Sequence, residues 1–193
     1  IGMRILIVDD VASLRNVIEK QVKRWGMKAS STYSGKEALA MMRNQCNLGQ
    51  PFDFIIIDIG TIHDLSSQLS DRRADSLVIT WAGDHADELW IIARPDRIGQ
   101  MRFKKITSIL NRTSIISSIT FVLNMRTHGR KGQEEEKVFL SVATTHKAAH
   151  LYVLPSDIRS TTDASESRAA LAEVNERGVL RKALASIASE MIS

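Results

Sequence analysis

Arg4-Ile5-Leu6-Ile7-Val8-Asp9-Asp10 is the stretch that decides how the rest of the chain is read. Residues 5–8 are an unbroken aliphatic run, mostly β-branched, the pattern of a strand buried on both faces in the middle of a parallel sheet. The run stops at two carboxylates. In open α/β sheets the carboxyl ends of the strands are where ligands bind, because the loops there part and leave a crevice. Adjacent acids at such a place suit a hard divalent cation such as Mg2+, which takes oxygen ligands and keeps several waters. Taken alone, Asp9 and Asp10 read equally well as caps of the following helix, since Asp is a favoured N-cap residue.

Outward from that strand, Leu14, Val17, Ile18, Val22 and Trp25 recur at spacings of three and four, giving a helix with one apolar stripe. Gly26 ends it as a left-handed C-terminal residue does, and residues 27–33 have the length of a second strand. Ser34-Gly35-Lys36-Glu37 opens another helix, with Ala38, Leu39, Met41 and Met42 on its buried side. A third strand, built on Phe54-Ile55-Ile56-Ile57, again closes on a carboxylate, Asp58. The order β-α-β-α-β with right-handed crossovers predicts a doubly wound parallel sheet. If the first and third strands are neighbours, Asp9, Asp10 and Asp58 converge, and their mutual repulsion favours a neutralising cation. Mg2+ answers that need, and one carboxylate can also act as nucleophile toward a phosphoryl donor.

Ser76-Leu77-Val78-Ile79-Thr80 reads as a fourth strand and Leu89-Trp90-Ile91-Ile92-Ala93 as a fifth, followed by Arg94-Pro95. Thr80 alone is an ordinary strand-end cap and Arg94 an ordinary surface charge; their places at successive strand tips set both beside the carboxylates. Residues 98–110 make a closing amphipathic helix. The expected fold class is therefore α/β, a doubly wound parallel five-stranded sheet over residues 1–110.

These pieces resemble the receiver domain of two-component response regulators, a flavodoxin-like fold. The resemblance rests on Ile5-Leu6-Ile7-Val8-Asp9-Asp10, Ser34-Gly35-Lys36-Glu37-Ala38-Leu39, Phe52-Asp53-Phe54-Ile55-Ile56-Ile57-Asp58 and the strand before Pro95. Trp25-Gly26-Met27 resembles in particular the degenerate receiver copies inside hybrid histidine kinases. The resemblance implies Asp58 as phosphoacceptor, Asp9 and Asp10 as Mg2+ ligands or their supports, and Thr80 as the switch hydroxyl. Arg94 occupies the place of the lysine that pairs with the phosphorylated aspartate, and brings a wider, planar donor fork. Ile91 stands where an aromatic switch residue is common. Asp58 and Thr80 are 22 positions apart and Thr80 and Arg94 are 14 apart, both shorter than such domains show. Residues 59–63 lack the family's loop elements, so the expected domain is a trimmed receiver whose acid pocket survives and whose output face is reduced. Implied partners are a histidine kinase, a phosphotransfer protein or another receiver domain.

Beyond Leu110 the resemblance stops. Residues 111–193 read as a smaller region of strands and a C-terminal helix. Residues 114–125, 137–143 and 150–154 are strand-like, the simplest picture being an antiparallel meander over 114–154. Residues 155–167 read as a polar linker and 168–192 as a helix interrupted by Gly178, able to pack on the meander or to pair with a second copy in a homodimer. His146 and His150 are four apart but lack a third ligand nearby, so a surface role outweighs a metal.

Composition bounds the function. At 193 residues, 44% hydrophobic and 25% charged, the chain has the content of a globular protein with a real core. No apolar stretch reaches bilayer length and no charged-then-apolar leader opens the sequence, which sets the expectation of a cytoplasmic protein without membrane contact. One cysteine, Cys46, excludes an internal disulfide and a cysteine-rich zinc site. Residues 1–103 balance 13 basic against 13 acidic side chains and residues 104–193 hold 13 against 9, an excess too dispersed to indicate nucleic acid. A phosphate loop, a nucleophile elbow and a kinase-like nucleotide site are all missing, so no independent catalytic site is expected. Three functions fit: an atypical phosphorelay receiver, a pseudo-receiver that only docks within a hybrid histidine kinase, and a transcriptional regulator whose second part binds DNA.

Overall fold

A computed structural model of the chain describes residues 2–60, 84, 86–110, 116–146 and 148–192. Two compact units divide the chain, Ile1–Trp81 and Ala82–Ser193. The first contains β1 (Arg4–Val8), α1 (Ala12–Arg24), β2 (Lys28–Thr32), α2 (Gly35–Asn47) and β3 (Phe54–Ile57). Its sheet has the order β2-β1-β3 with both pairings parallel.

The opening aliphatic run becomes the central strand because it supplies two apolar faces. Ile5 and Ile7 pack with Val22, Ile18 and Met27, whereas Leu6 and Val8 pack with Ala38, Met41, Met42 and Ile57. Successive side chains of a strand point to opposite faces, so α1 covers one face and α2 the other. Gly26 adopts φ 81° after α1, a conformation open to glycine at little cost. Ser34 caps α2, its hydroxyl accepting from the Glu37 amide at 3.3 Å.

The second unit contains β4 (Glu88–Ala93), α3 (Arg97–Leu110), β5 (Ser118–Arg126), α4 (Gly129–Ala143), β6 (His150–Pro155), α5 (Ile158–Ser167), α6 (Leu171–Val174) and α7 (Val179–Ile192). Its three strands are also parallel, in the sequential order β4-β5-β6. Two right-handed crossovers in one direction put α3 and α4 on the same face. Ile91, Ala93, Phe103, Phe121, Leu123, Phe139 and Ala143 form the core there. On the opposite face Ile187 of α7 packs with Val122, Tyr152 and Leu154.

Three expectations are corrected. Among the described residues the single five-stranded sheet gives way to two three-stranded sheets, because Leu89, Ile91 and Ala93 find their cover with β5 and α3 in the second unit. The antiparallel meander gives way to parallel strands joined by α4, which takes in residues 137–143, read as a strand. There the buried Gly132, Glu135, Phe139 and Ala143 follow helical spacing, which the local run of apolar residues conceals. Residues 158–167, read as linker, coil into α5 behind an Asp157 cap. The expected fourth strand, residues 76–80, lies outside the described residues.

Candidate functional site

The strand order of the first unit reverses at β1: the chain passes from β1 to β2 on one side and returns to β3 on the other. Such a switch point opens a crevice at the carboxyl ends of the two central strands. Val8 pairs in register with Ile57, and the Asp58 amide donates to the Val8 carbonyl at 2.8 Å. Asp9 and Asp58 are thus the first residues beyond the last paired rung, at the tips of adjacent strands whose spacing is about 4.8 Å.

Their surroundings differ. Asp9 is 3% exposed; its Oδ1 accepts from the Val11 amide at 2.6 Å, and its Oδ2 is buried without a hydrogen-bond partner. Asp58 is exposed, and its Oδ1 accepts from the Gly60 amide at 2.7 Å. Asp10 is exposed beside them. Neither acid caps α1, whose N-cap residue is Val11 with no side-chain cap bond. On the other flank of β1, Thr32 ends β2 in register with Val8, is 4% exposed, and donates its hydroxyl to Glu37. Thr32 and Glu37 were not among the expected site residues. The signal was present in Glu37 three positions after Ser34, a capping-box spacing that is used instead to hold Thr32.

Thr80 lies outside the described residues. Arg94 belongs to the second unit, where its Nε pairs with Asp96 at 3.0 Å on an exposed surface. His146 lies in the turn after α4, and His150 opens β6 with its Nδ1 3.4 Å from Glu190. Among the described residues no three His, Cys, Asp or Glu side chains gather as a metal-ligand set, and no helix is long and apolar enough to cross a membrane.

The second unit has its own crevice, about 610 Å³, at the carboxyl ends of its strands, lined by Arg94, Arg97, Met125, Thr127, Lys131 and Ser156 among others. Met125 holds φ 61°, uncommon for a bulky residue. Gly132 is required below it, since a Cβ would meet the Thr127 carbonyl oxygen at 1.8 Å. Glu135 is buried and accepts from the Thr127 amide and hydroxyl at 2.9 and 3.0 Å. Asp157 caps α5 at this end. The Ser160 side chain, then the Ser160 amide, hold its carboxyl below the ordinary 3.8, against the opposing pull of burial. Above pH 3.8 the carboxylate is ionised in both folded and unfolded chains and the cap contributes fully. As pH falls toward the depressed folded value the unfolded chain takes up its proton first, and that contribution fades. Asp157→Asn is therefore expected to flatten the acid limb of the stability profile below about pH 4. Urea unfolding across that range checks it, and an unchanged limb would overturn the assignment.

What the first unit defines is a parallel α/β module with carboxylates at its switch point, in the strand order with which flavodoxin-like sheets begin. No protein-family model and no curated protein matches the chain. Among solved structures it is similar to the receiver domain of the TMAO respiratory system response regulator TorR, at 18% identity and TM-score 0.29, covering 90% of this chain and 100% of that one. A second is the N-terminal domain of a response regulator receiver protein from Methanoculleus marisnigri JR1, at 13% identity and TM-score 0.24, covering 85% and 94%. A third is an adenylate cyclase from Rhodopirellula baltica, at 14% identity and TM-score 0.27, covering 100% and 98%. The solved structures similar to this chain thus include response regulator receiver domains, the family its motifs resemble. At TM-scores this low, the functional weight falls on strand order and on the carboxylates themselves.

Proposed function

We propose that the chain is a cytoplasmic two-component signalling module whose first unit is an atypical receiver, with Asp58 as phosphoacceptor. The observation that supports this is the pairing of a buried, half-unpartnered Asp9 with an exposed Asp58 at adjacent strand tips. Asp58 can be reached by a phosphoryl donor, while Asp9 is held by the Val11 amide and withdrawn from solvent. In the reaction a carboxylate oxygen of Asp58 attacks the phosphorus of a phosphohistidine on a kinase or phosphotransfer protein. The phosphorus–oxygen bond forms, the phosphorus–nitrogen bond breaks, and the electron pair leaves with the imidazole. The Gly60 amide, bonded to Asp58 Oδ1, fixes which oxygen remains free.

Asp9 fits a divalent cation, because its Oδ2 is a buried carboxylate oxygen with no protein donor, and such an atom is costly unless something satisfies it. Asp9 would be the first ligand of Mg2+, with water filling most of its shell and Asp10 and Asp58, which do not gather with Asp9 into a ligand set in this arrangement, reaching the ion through that water. When bound it would neutralise charge on the phosphoryl oxygens. One consequence concerns stability. Asp9→Asn keeps the acceptor for Val11 and removes the unpaired charge, so metal-free protein is expected to gain about 1 kcal/mol or more. The rise in melting temperature that MgCl2 gives the wild type is expected to disappear in the same variant. Thermal melts with and without MgCl2 test both, and a variant still stabilised by Mg2+ would exclude Asp9 as a ligand.

The function itself is tested by incubating the full chain with acetyl phosphate and MgCl2 and measuring intact mass. Wild type is expected to gain one phosphoryl mass and Asp58→Asn none. An unmodified wild type, or an equally modified variant, would sink the phosphoacceptor assignment and leave a module that works by docking alone.

A further inference from the structure

The crevice at the carboxyl ends of the second unit's strands takes no part in the chemistry of the first unit, and it is lined wholly by described residues of its own unit. Its volume of about 610 Å³ is that of a small-molecule pocket. Its charges do not cancel among themselves. Asp96 is committed to Arg94 at 3.0 Å and to the Gly99 amide at 2.8 Å, and Glu134 faces Arg130 at 3.4 Å. Arg97 and Lys131 line the crevice with neither an ion pair nor a hydrogen bond among the described residues. Arg97 opens α3 and Lys131 is the third residue of α4, and neither first turn holds an acid. A cation at that end adds to the positive pole of a helix instead of offsetting it. The protein thus leaves a positive rim unanswered.

Glu135 supplies the opposite character. It stands one turn beyond Lys131 on the same face of α4 and is 8% exposed, yet the two do not pair. Its Oε2 accepts from the Thr127 amide and hydroxyl, which fix the carboxylate, whereas its Oε1 has no protein partner and is not sealed from solvent. Of the two spaces that Glu135 borders among the described residues, the cleft between α3 and α4 has room for about one water, and only the crevice admits a ligand. A largely buried carboxylate oxygen left open in this way calls for a donor. A bare anion would meet it as a like charge, so the ligand must bring its charge to the rim and a hydroxyl to Glu135. Met125 and Ile158, 40% and 68% exposed, add an apolar wall.

We propose that this crevice binds a small phosphorylated ligand of the nucleoside monophosphate type. The phosphate meets Arg97 and Lys131, where two cations at two helix starts suit a doubly charged group. A sugar hydroxyl donates to Glu135 Oε1, and the base lies against Met125 and Ile158.

Calorimetric titration of the full chain with AMP tests this, in EDTA so that the first unit holds no Mg2+. Wild type is expected to bind AMP with a dissociation constant below about 1 mM. Adenosine, which lacks the phosphate, and inorganic phosphate, which lacks the rest, are each expected to bind at least about tenfold more weakly. An AMP analogue lacking both ribose hydroxyls is expected to lose affinity by about as much, which probes Glu135 without disturbing its bonds to Thr127. Arg97→Gln and Lys131→Gln, both at exposed positions, are each expected to weaken AMP about tenfold with an unchanged circular dichroism spectrum, which separates lost binding from lost folding. A wild type that does not bind AMP, inorganic phosphate that binds as tightly as AMP, or folded Arg97→Gln and Lys131→Gln variants that bind AMP as wild type does would overturn the proposal.

Discussion

Phe121→Ala is expected to destabilise the second unit by about 3–5 kcal/mol. Phe121 lies fully buried in the middle strand, and its ring meets Phe103 edge to face at 5.1 Å and 89°. Phe103 in turn stacks on Phe139 at 5.0 Å and 23°, so one aromatic column ties β5 to α3 and α4. Truncating its base removes transfer free energy, opens a cavity beneath two helices and forfeits an aromatic pair worth about 1 kcal/mol beyond its area. Collapse of the site is resisted from both sides, because Ile91, Ala93 and Leu123 are already packed around it. Urea unfolding followed by the fluorescence of Trp90, with Trp25 and Trp81 replaced by Phe in both proteins, measures the loss as a shift in midpoint. A change below about 1 kcal/mol would show that the column is not the centre of this core.

How much of this could be read from the residues depends on what each signal specifies. β1 was legible because four aliphatics bounded by Arg4 and Asp9 leave few alternatives, and the two helices after it announce themselves by spacing. The partner of β4 was not legible. Alternation in Leu89, Ile91 and Ala93 shows that one face is buried, and says nothing of which sheet buries it. α4 was hidden for another reason. Val138, Phe139, Leu140, Val142 and Ala143 form a dense apolar patch that satisfies strand and helix templates alike, and only the polar turns before it, with Gly132 and Glu135 buried, break the tie. At the site, Asp9 and Asp58 were legible as strand-end carboxylates. Their contrast in burial was not, since it follows from the Asx-type bond of Asp9 to Val11 and from β3 lying at the edge of the described sheet.

The same contrast makes β1 the element on which the site depends, and Leu6→Ala is its most sensitive probe, with an expected loss of about 2–5 kcal/mol. Leu6 is fully buried, and it faces α2 through Ala38, Met41 and Met42. A small unit has little stability in reserve, of the order of 5–15 kcal/mol for a whole domain, so this loss is a large fraction of it. The damage should travel along the strand. Val8 shares the face of Leu6, its carbonyl accepts the Asp58 amide, and the Asp9 amide donates to Thr32 at 3.2 Å. Loosening the face that holds Val8 therefore loosens both rungs that align the two carboxylates. Hydrogen exchange at the Asp9 and Asp58 amides should accelerate together in Leu6→Ala, while Leu48→Ala, at a position 62% exposed, should change neither. If the Asp9 and Asp58 amides kept their protection in Leu6→Ala, the carboxylates would be aligned by their own loops, and the packing of β1 would have no part in holding the site.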